Sequence, residues 1–194
     1  NSKLDLGIEL IPGIGPKKTK MYHRLGIKNI KGLLMHYPMR YEDRRLTKKI
    51  ALIHMEEKIC INGKIILVNI KKPKKNMVIT EAYIDDGSQQ AILTIFNNPY
   101  IQNQLSLGRT IKAYGIAKRI NGIININSPE IDFDNNNKKT GIIYPIYPLT
   151  RGLFNDEIIK AITWVFKNIS IKDLEYLSPR YRQQLRLCQV DDAI

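Results

Sequence analysis

Gln90-Ala91-Ile92-Leu93-Thr94-Ile95-Phe96-Asn97-Asn98-Pro99-Tyr100 is the stretch on which the reading of this 194-residue chain turns. Its first seven residues are uncharged and rich in apolar and β-branched side chains, the composition of a strand. The run breaks at Asn97-Asn98-Pro99, because Asn tolerates turn conformations and Pro has no N–H to give a sheet ladder. One large aromatic residue stands on each side of the break. Two flat apolar rings beside polar amides suit a surface that stacks on nucleic-acid bases. The competing reading is that Phe96 ends a core strand and Tyr100 packs beneath a loop.

Outward from this stretch the centre of the chain reads as successive strands. Ile59–Val68 comes first, then a basic turn, Lys71-Lys72-Pro73-Lys74-Lys75-Asn76, and a second strand, Met77–Ile84. Asp85-Asp86-Gly87-Ser88 is a hairpin turn in which Gly supplies a positive φ. The opening stretch is the third strand, a short helix is expected between Asn98 and Ser106, and Thr110–Ala117 is the fourth. Asn121-Gly122 turns the chain into the fifth, Ile123–Asn127. Five short strands with a helix between the third and fourth fit the OB barrel, a fold that binds oligonucleotides on one face and with its loops. Gly63 and Gly115 inside strands predict the coiling or bulges that a small barrel needs. The expected class is therefore mainly β with flanking helices. Lys72, Lys74 and Lys75 either guide a nucleic-acid backbone or keep a solvated hairpin tip from aggregating.

Charge narrows the partner. Lys and Arg outnumber Asp and Glu by 31 to 18, a net +13. Residues 1–50 hold 12 basic and 4 acidic side chains, 51–150 hold 12 and 8, and 151–194 hold 7 and 6, so most of the excess is N-terminal. Such a balance favours an acidic partner, nucleic acid or an anionic membrane surface. The two cysteines, Cys60 and Cys188, lack Cys-x-x-Cys spacing and a nearby His, so no zinc site is expected and both read as buried free thiols. No run approaches 18 uncharged apolar residues, and no basic segment followed by an apolar one opens the chain; neither a membrane span nor secretion is expected.

Before the strands, Ile11-Pro12-Gly13-Ile14-Gly15-Pro16-Lys17-Lys18 leads into a helical pattern. Pro16 suits a first turn, Met21, Tyr22 and Leu25 recur at helical spacing, and Gly26 reads as the stop. Ile30, Leu33 and Leu34 predict a second short helix ended by Pro38. Gly13 and Gly15 at a helix N-terminus let backbone N–H groups face a phosphate, with Lys17 and Lys18 adding charge. The element looks like half of a helix-hairpin-helix motif, and a purely structural role for it stays equally open. The P-loop spacing Gly-x-x-x-x-Gly-Lys is absent, so the chain has no visible ATP site. In Tyr37-Pro38-Met39-Arg40-Tyr41-Glu42-Asp43-Arg44-Arg45, the arginines Arg40 and Arg44 either meet a phosphate backbone or form an ion-paired linker with the embedded acids.

After the strands, Asp134–Lys139 is a polar loop, and two Tyr-Pro pairs, Tyr144-Pro145 and Tyr147-Pro148, favour extended backbone. Asn155 or Asp156 is expected to cap a helix with Ile158, Ile159, Ile162, Val165 and Phe166 on its apolar face. Ser178-Pro179 is expected to start another. The chain stops at Asp192-Ala193-Ile194 without a domain-end signal, and a piece of something longer is expected. The resulting division is a helical segment with an Arg/Tyr linker at 1–50, the barrel at 51–153 and a helical connector at 154–194.

Four stretches in order now resemble one family. Gly13-Ile14-Gly15-Pro16-Lys17, Pro38-Met39-Arg40-Tyr41-Glu42-Asp43-Arg44, Phe96-Asn97-Asn98-Pro99-Tyr100 and Tyr144–Leu153 are similar to the N-terminal wedge of the RecG family, bacterial ATP-dependent DNA helicases of branch migration and fork reversal. The resemblance covers roughly residues 10–155. It implies an OB barrel at the branch point of forked DNA, with Phe96 and Tyr100 stacked on the orphaned bases while the motor pulls duplex. It further implies branched DNA (forks and Holliday junctions) and the protein's own C-terminal motor domains as partners. A monomer in the bacterial cytoplasm, serving repair and recombination, is expected. ATP and Mg would belong to motor domains beyond Ile194, leaving no cofactor and no catalytic residue in this stretch. Two other readings compete: an OB module that binds single strands without preference, and a docking domain whose basic surface meets protein. His23, His36 and His54 are scattered and carry no assigned chemistry, and the paired acids Glu56-Glu57 and Asp85-Asp86 read as turn residues.

Overall fold

The computed structural model describes residues 3–134 and 136–170, with Arg180, Gln183, Arg186 and Cys188 beyond them. In chain order the helices are α1 (Pro16–Arg24), α2 (Ile30–Leu34), α3 (Pro99–Gln102) and α4 (Asn155–Asn168). The strands are β1 (Arg40–Asp43), β2 (Glu57–Lys74), β3 (Met77–Asp85), β4 (Gln90–Phe96), β5 (Thr110–Ile120), β6 (Ile123–Asn127), β7 (Glu130–Phe133) and β8 (Ile143–Ile146). Short 3-10 turns lie at Lys3–Asp5, Ile8–Leu10 and Ile50–Leu52. The chain divides into two compact units, residues 42–144 and the combination of 1–41 with 145–194. The segments before and after the barrel thus share a unit, although more than a hundred residues separate them in sequence.

The barrel unit is a closed circuit of strand pairs. β2 pairs with β3, β3 with β4, β4 in parallel with β6, β6 with β5, and β5 back with β2. Each of the five strands therefore has a neighbour on both sides, which is how a small OB-type barrel removes its exposed edges. The long strand β2 makes closure possible by serving two partners: Glu57–Lys64 pairs with β5, and Lys64–Lys74 pairs with β3. The exchange falls where Gly63 approaches the Asp85 backbone; a Cβ there would lie 2.9 Å from the Asp85 carbonyl oxygen. A register shift between Ile65 and Leu67 completes the bend. The interior is lined by alternating apolar side chains, among them Ile61, Ile84, Leu93, Ile111, Ala113 and Ile126, each with no exposed surface. The Asp85–Ser88 turn is fixed by Asp86, whose Oδ1 accepts from the Ser88 N–H and hydroxyl and whose Oδ2 accepts from the Ile50 N–H.

All five expected strands are present, and β2 and β5 run longer than read. Three four-residue strands, β1, β7 and β8, escape the sequence reading; they are too short for an alternation pattern, β1 is charged and β8 carries Pro145. β7 adds to β5, and β1 pairs with β8.

In the other unit Pro16 opens α1, and Gly26, with φ of +80°, follows its C-terminus as expected. Tyr22 is 1% exposed and donates its hydroxyl to the Glu157 carbonyl at 3.2 Å. Burial, with the Glu157 charge behind it, pushes the phenol up to about 12. Ile30, Leu33, Ile158 and Val165 pack in the same core. Three expectations need correction. Asn155 is the first residue of α4 rather than its cap; its Oδ1 accepts from the Tyr147 N–H and its Nδ2 donates to the Pro145 carbonyl, both at 2.8 Å. Phe154 holds the capping position, its N–H donating to Glu157 Oε2 at 3.0 Å. Phe166 is 42% exposed, off the apolar face, while Ala161 takes a core position. Cys188 is exposed; only Cys60 is buried, and burial pushes its thiol up to about 11. The helix expected from Ser178-Pro179 lies outside the described residues.

Candidate nucleic-acid interface

β4 delivers Phe96 at its last position, opposite Ile79 of β3. The next residue turns the chain with φ of +46°, a left-handed conformation that Asn accepts at small cost. Asn97 then adds one more rung to the ladder: its N–H donates to the Val78 carbonyl at 2.9 Å, and its Oδ1 accepts from the Val78 N–H at 2.7 Å. Asn98 caps α3 by accepting from the Ile101 N–H at 3.0 Å, and Pro99 fills the first helical position. Ile101 and Leu105 anchor the segment on the barrel core. The backbone is thus held at both ends while Phe96 and Tyr100 stand 40% and 77% exposed. The reading that buries both rings is excluded.

Beside Phe96 runs the basic hairpin. Cross-strand register lines up Lys71, Ile79 and Phe96 in one row, and β2 and β3 continue beyond it to Lys74 opposite Met77. Lys71 is paired to Glu81 at 2.7 Å. Lys72, Lys74 and Lys75 are exposed, and among the described residues none has a carboxylate partner. Rings and cations of this unit therefore share one end of the β2–β3–β4 sheet.

The other predicted residues fall elsewhere. Gly13, with φ of +85°, and Gly15, extended before Pro16, are exposed at the start of α1, with the buried Ile14 between them fastening the turn to the core. Lys17 is exposed, and Lys18 pairs with Glu157 at 2.8 Å. Arg40 is exposed at the start of β1.

Arg44 overturns its expected role on a phosphate backbone. It is 1% exposed, with its guanidinium between the rings of Tyr114 and Tyr144 at 4.0 and 3.9 Å. Its Nη2 reaches Glu42 at 2.6 Å and Glu130 at 2.9 Å, and its Nη1 donates to the Lys139 carbonyl at 3.1 Å. Every face of the side chain is spent inside the unit, so none is left for DNA. Burial pushes the Glu42 carboxyl upward, but hydrogen bonds from Lys58 and Arg44 outweigh it and hold the group at about 2. The sequence carries both halves of this clamp, the arginine and the acid two residues before it; the tyrosines and Glu130 come from strands 70 to 100 residues away. Sequence reasoning also misses Glu81, whose place on the same outward face as Phe96 follows from strand alternation.

Among the described residues no group of three or more His, Cys, Asp or Glu side chains is arranged to hold a metal, and no helix is long and apolar enough to cross a membrane.

Known proteins resemble this chain over most of its length. The sequence profile of the RecG wedge domain matches residues 7–172. An ATP-dependent DNA helicase RecG from Thermotoga maritima is 30% identical over 194 residues, covering 98% of this chain and 25% of the relative. The same-named helicase from Streptococcus pneumoniae is 27% identical over 166 residues, covering 82% of this chain and 23% of the relative. A solved structure of RecG bound to a three-way DNA junction superposes with a TM-score of 0.83 at 31% identity, over 100% of this chain and 27% of that one. The chain spans about a quarter of the length of the curated relatives it matches. With a matching profile across most of its length and an OB-type barrel, the chain belongs to the RecG wedge domain family.

Proposed function

We propose that this chain binds branched DNA as the wedge of a fork-reversal and branch-migration helicase, with Phe96 and Tyr100 stacked on the bases unpaired at the branch. The observation that carries the reading is the pair of exposed rings on a backbone locked by Asn97 and Asn98. A loop ordered before binding loses little entropy when bases arrive, so its stacking energy goes into holding strands apart. Lys72, Lys74 and Lys75 lie where a strand leaving Phe96 passes, and they bind its phosphates. The turn at Gly13 and Gly15 with Lys17, together with Arg40, supplies further backbone contacts from the other unit. Movement along DNA, ATP hydrolysis and the Mg it uses belong to motor domains of the parent protein. The setting is rescue of replication forks, recombination and repair in the bacterial cytoplasm, with the protein acting as a monomer.

The test is equilibrium binding of the chain to a three-way fork, the matched duplex and the matched single strand, at two salt concentrations. Base–aromatic stacking contributes ~1–3 kcal/mol per base, so each of Phe96→Ala and Tyr100→Ala should weaken fork binding roughly tenfold. Thermal melting should stay unchanged, since both rings are exposed. Equal affinity for fork and single strand would replace the wedge with a general single-strand module. No DNA binding even at low salt would leave a protein-docking domain.

A further inference from the structure

We propose that Glu81 discriminates among the bases crossing the outward face of the barrel, by accepting a hydrogen bond from an exocyclic amino group; this rests on the wedge reading above. Register defines the face. Ile79 opposite Phe96, Glu81 opposite Thr94 and Tyr83 opposite Ile92 are successive outward rungs, while Thr80, Ala82 and Ile84 between them are buried inside. β2 extends the rungs with Lys71, Asn69 and Leu67, and β6 extends two of them with Asn127 and Asn125. Glu81 is the sole acid on these three rungs. It stands one rung from Phe96, about 6.8 Å along the strand, within the reach of a base stacked on that ring.

The carboxylate is half used. Oε1 takes the Lys71 ammonium at 2.7 Å, and Oε2 is buried with no hydrogen-bond partner. An ionised carboxylate only accepts, and a buried acceptor left unpaired is costly, so the site calls for a donor. Lys71 is the neighbour able to leave. Its side chain is 57% exposed and continues into the lysine hairpin, where a bound phosphate competes with Glu81 for it. Once Lys71 turns to the phosphate, Oε1 is opened to the bases and the carboxylate has no partner on either oxygen. Cytosine, adenine and guanine each offer an amino group. Thymine offers only its ring N–H, flanked by two carbonyl oxygens that repel a carboxylate. At equal ring size, and hence similar stacking, cytosine is therefore preferred to thymine.

The experiment uses forks identical except at the unpaired nucleotides beside the branch, which are dC, dT or the 2-pyrimidinone nucleotide, cytosine without its amino group. Wild type should bind the dC fork about three- to tenfold more tightly than the other two, the range for one net hydrogen bond at a partly hydrated site. Glu81→Met, which keeps the side chain's length and removes both acceptor oxygens, should bring the dC and dT forks to within twofold of each other. Equal binding of dC and 2-pyrimidinone by wild type overturns the proposal without recourse to any variant, as does a dC preference that survives Glu81→Met. Matched duplex in the same titration separates this proposal from the wedge reading. Fork preference without base preference overturns the role of Glu81 alone. Base preference without fork preference supports Glu81 and overturns the wedge. Neither preference overturns both.

Discussion

Arg44 carries a charge into the interior because each of its three side-chain nitrogens finds an acceptor and both faces of its plane find a ring. Removing one partner of such a group leaves the others buried and unpaired. Arg44→Met should cost about 3 kcal/mol in denaturant unfolding, the low end for a broken buried pair because Glu130 is partly exposed and can rehydrate. Glu42 provides a pH signature. Its carboxyl stands at about 2 in the fold against an ordinary 4.5, so the folded state binds its proton less readily than the unfolded chain does. The stability it supplies is complete above about pH 4.5 and is lost as pH falls through about 2. The gap in unfolding midpoint between wild type and Glu42→Gln should thus be widest near neutrality and close on acidification through that window. Comparison with the variant isolates Glu42 from Asp86, which is also held at about 2. The local sequence leaves two roles open for Arg44, and the embedded acids are its informative neighbours. What it cannot supply is Tyr114, Glu130 and Tyr144, which reach the guanidinium only after β5, β7 and β8 have been placed.

At the scale of elements, the β2–β3 hairpin and the loop after β4 lie at one end of the sheet. Their composition makes each legible separately: a lysine-rich run from Lys71 to Lys75 interrupted only by Pro73, and an Asn-Asn-Pro break between two rings. Their adjacency comes from register, since Lys71, Ile79 and Phe96 occupy one row across three strands. If the hairpin holds phosphates, replacing Lys72, Lys74 and Lys75 with Gln should weaken binding to all sequences alike. It should also flatten the dependence of log affinity on log salt by about 2, from roughly 0.7 for each single-strand phosphate no longer neutralised. Melting temperature should hardly move, as none of the three lysines has a carboxylate partner among the described residues. An unchanged salt slope would return the hairpin to its other reading, a solvated tip. Asn155 teaches the complementary lesson. Its position before an apolar helical pattern predicts a cap, but its side chain turns back to pin the Pro145–Tyr147 backbone, and Glu157 with the Phe154 N–H closes the helix instead.

Over the whole molecule, the barrel contains everything needed for its own closure. The five strands of the circuit, the Asp86 turn and all partners of the Arg44 clamp lie within residues 42–144. Expressed alone, that segment should unfold in a single cooperative transition and retain its dispersed amide spectrum. Collapse to a broad, non-cooperative melt would mean that the flanking unit is required for the barrel to fold. Excision also separates contributions to DNA affinity: the segment keeps Phe96, Tyr100 and the lysine hairpin and omits Gly13, Gly15, Lys17 and Arg40. Fork affinity retained within a few-fold would assign recognition to the barrel.

The sequence by itself determined the barrel strands, the two N-terminal helices with their Gly26 stop, and the loop with its two aromatic residues. These are set by local chemistry: alternation of isoleucine and polar residues, the missing N–H of proline, and the left-handed conformations open to glycine and asparagine. Tertiary structure alone decided that residues 1–41 share a core with α4, that Arg44 is buried while Phe96 and Tyr100 are exposed, and that Glu81 keeps an unpaired oxygen beside them. Each of those outcomes depends on which distant strand or helix arrives as a neighbour. Burial and hydrogen-bond satisfaction are properties of the packed pair, and no single segment encodes its partner.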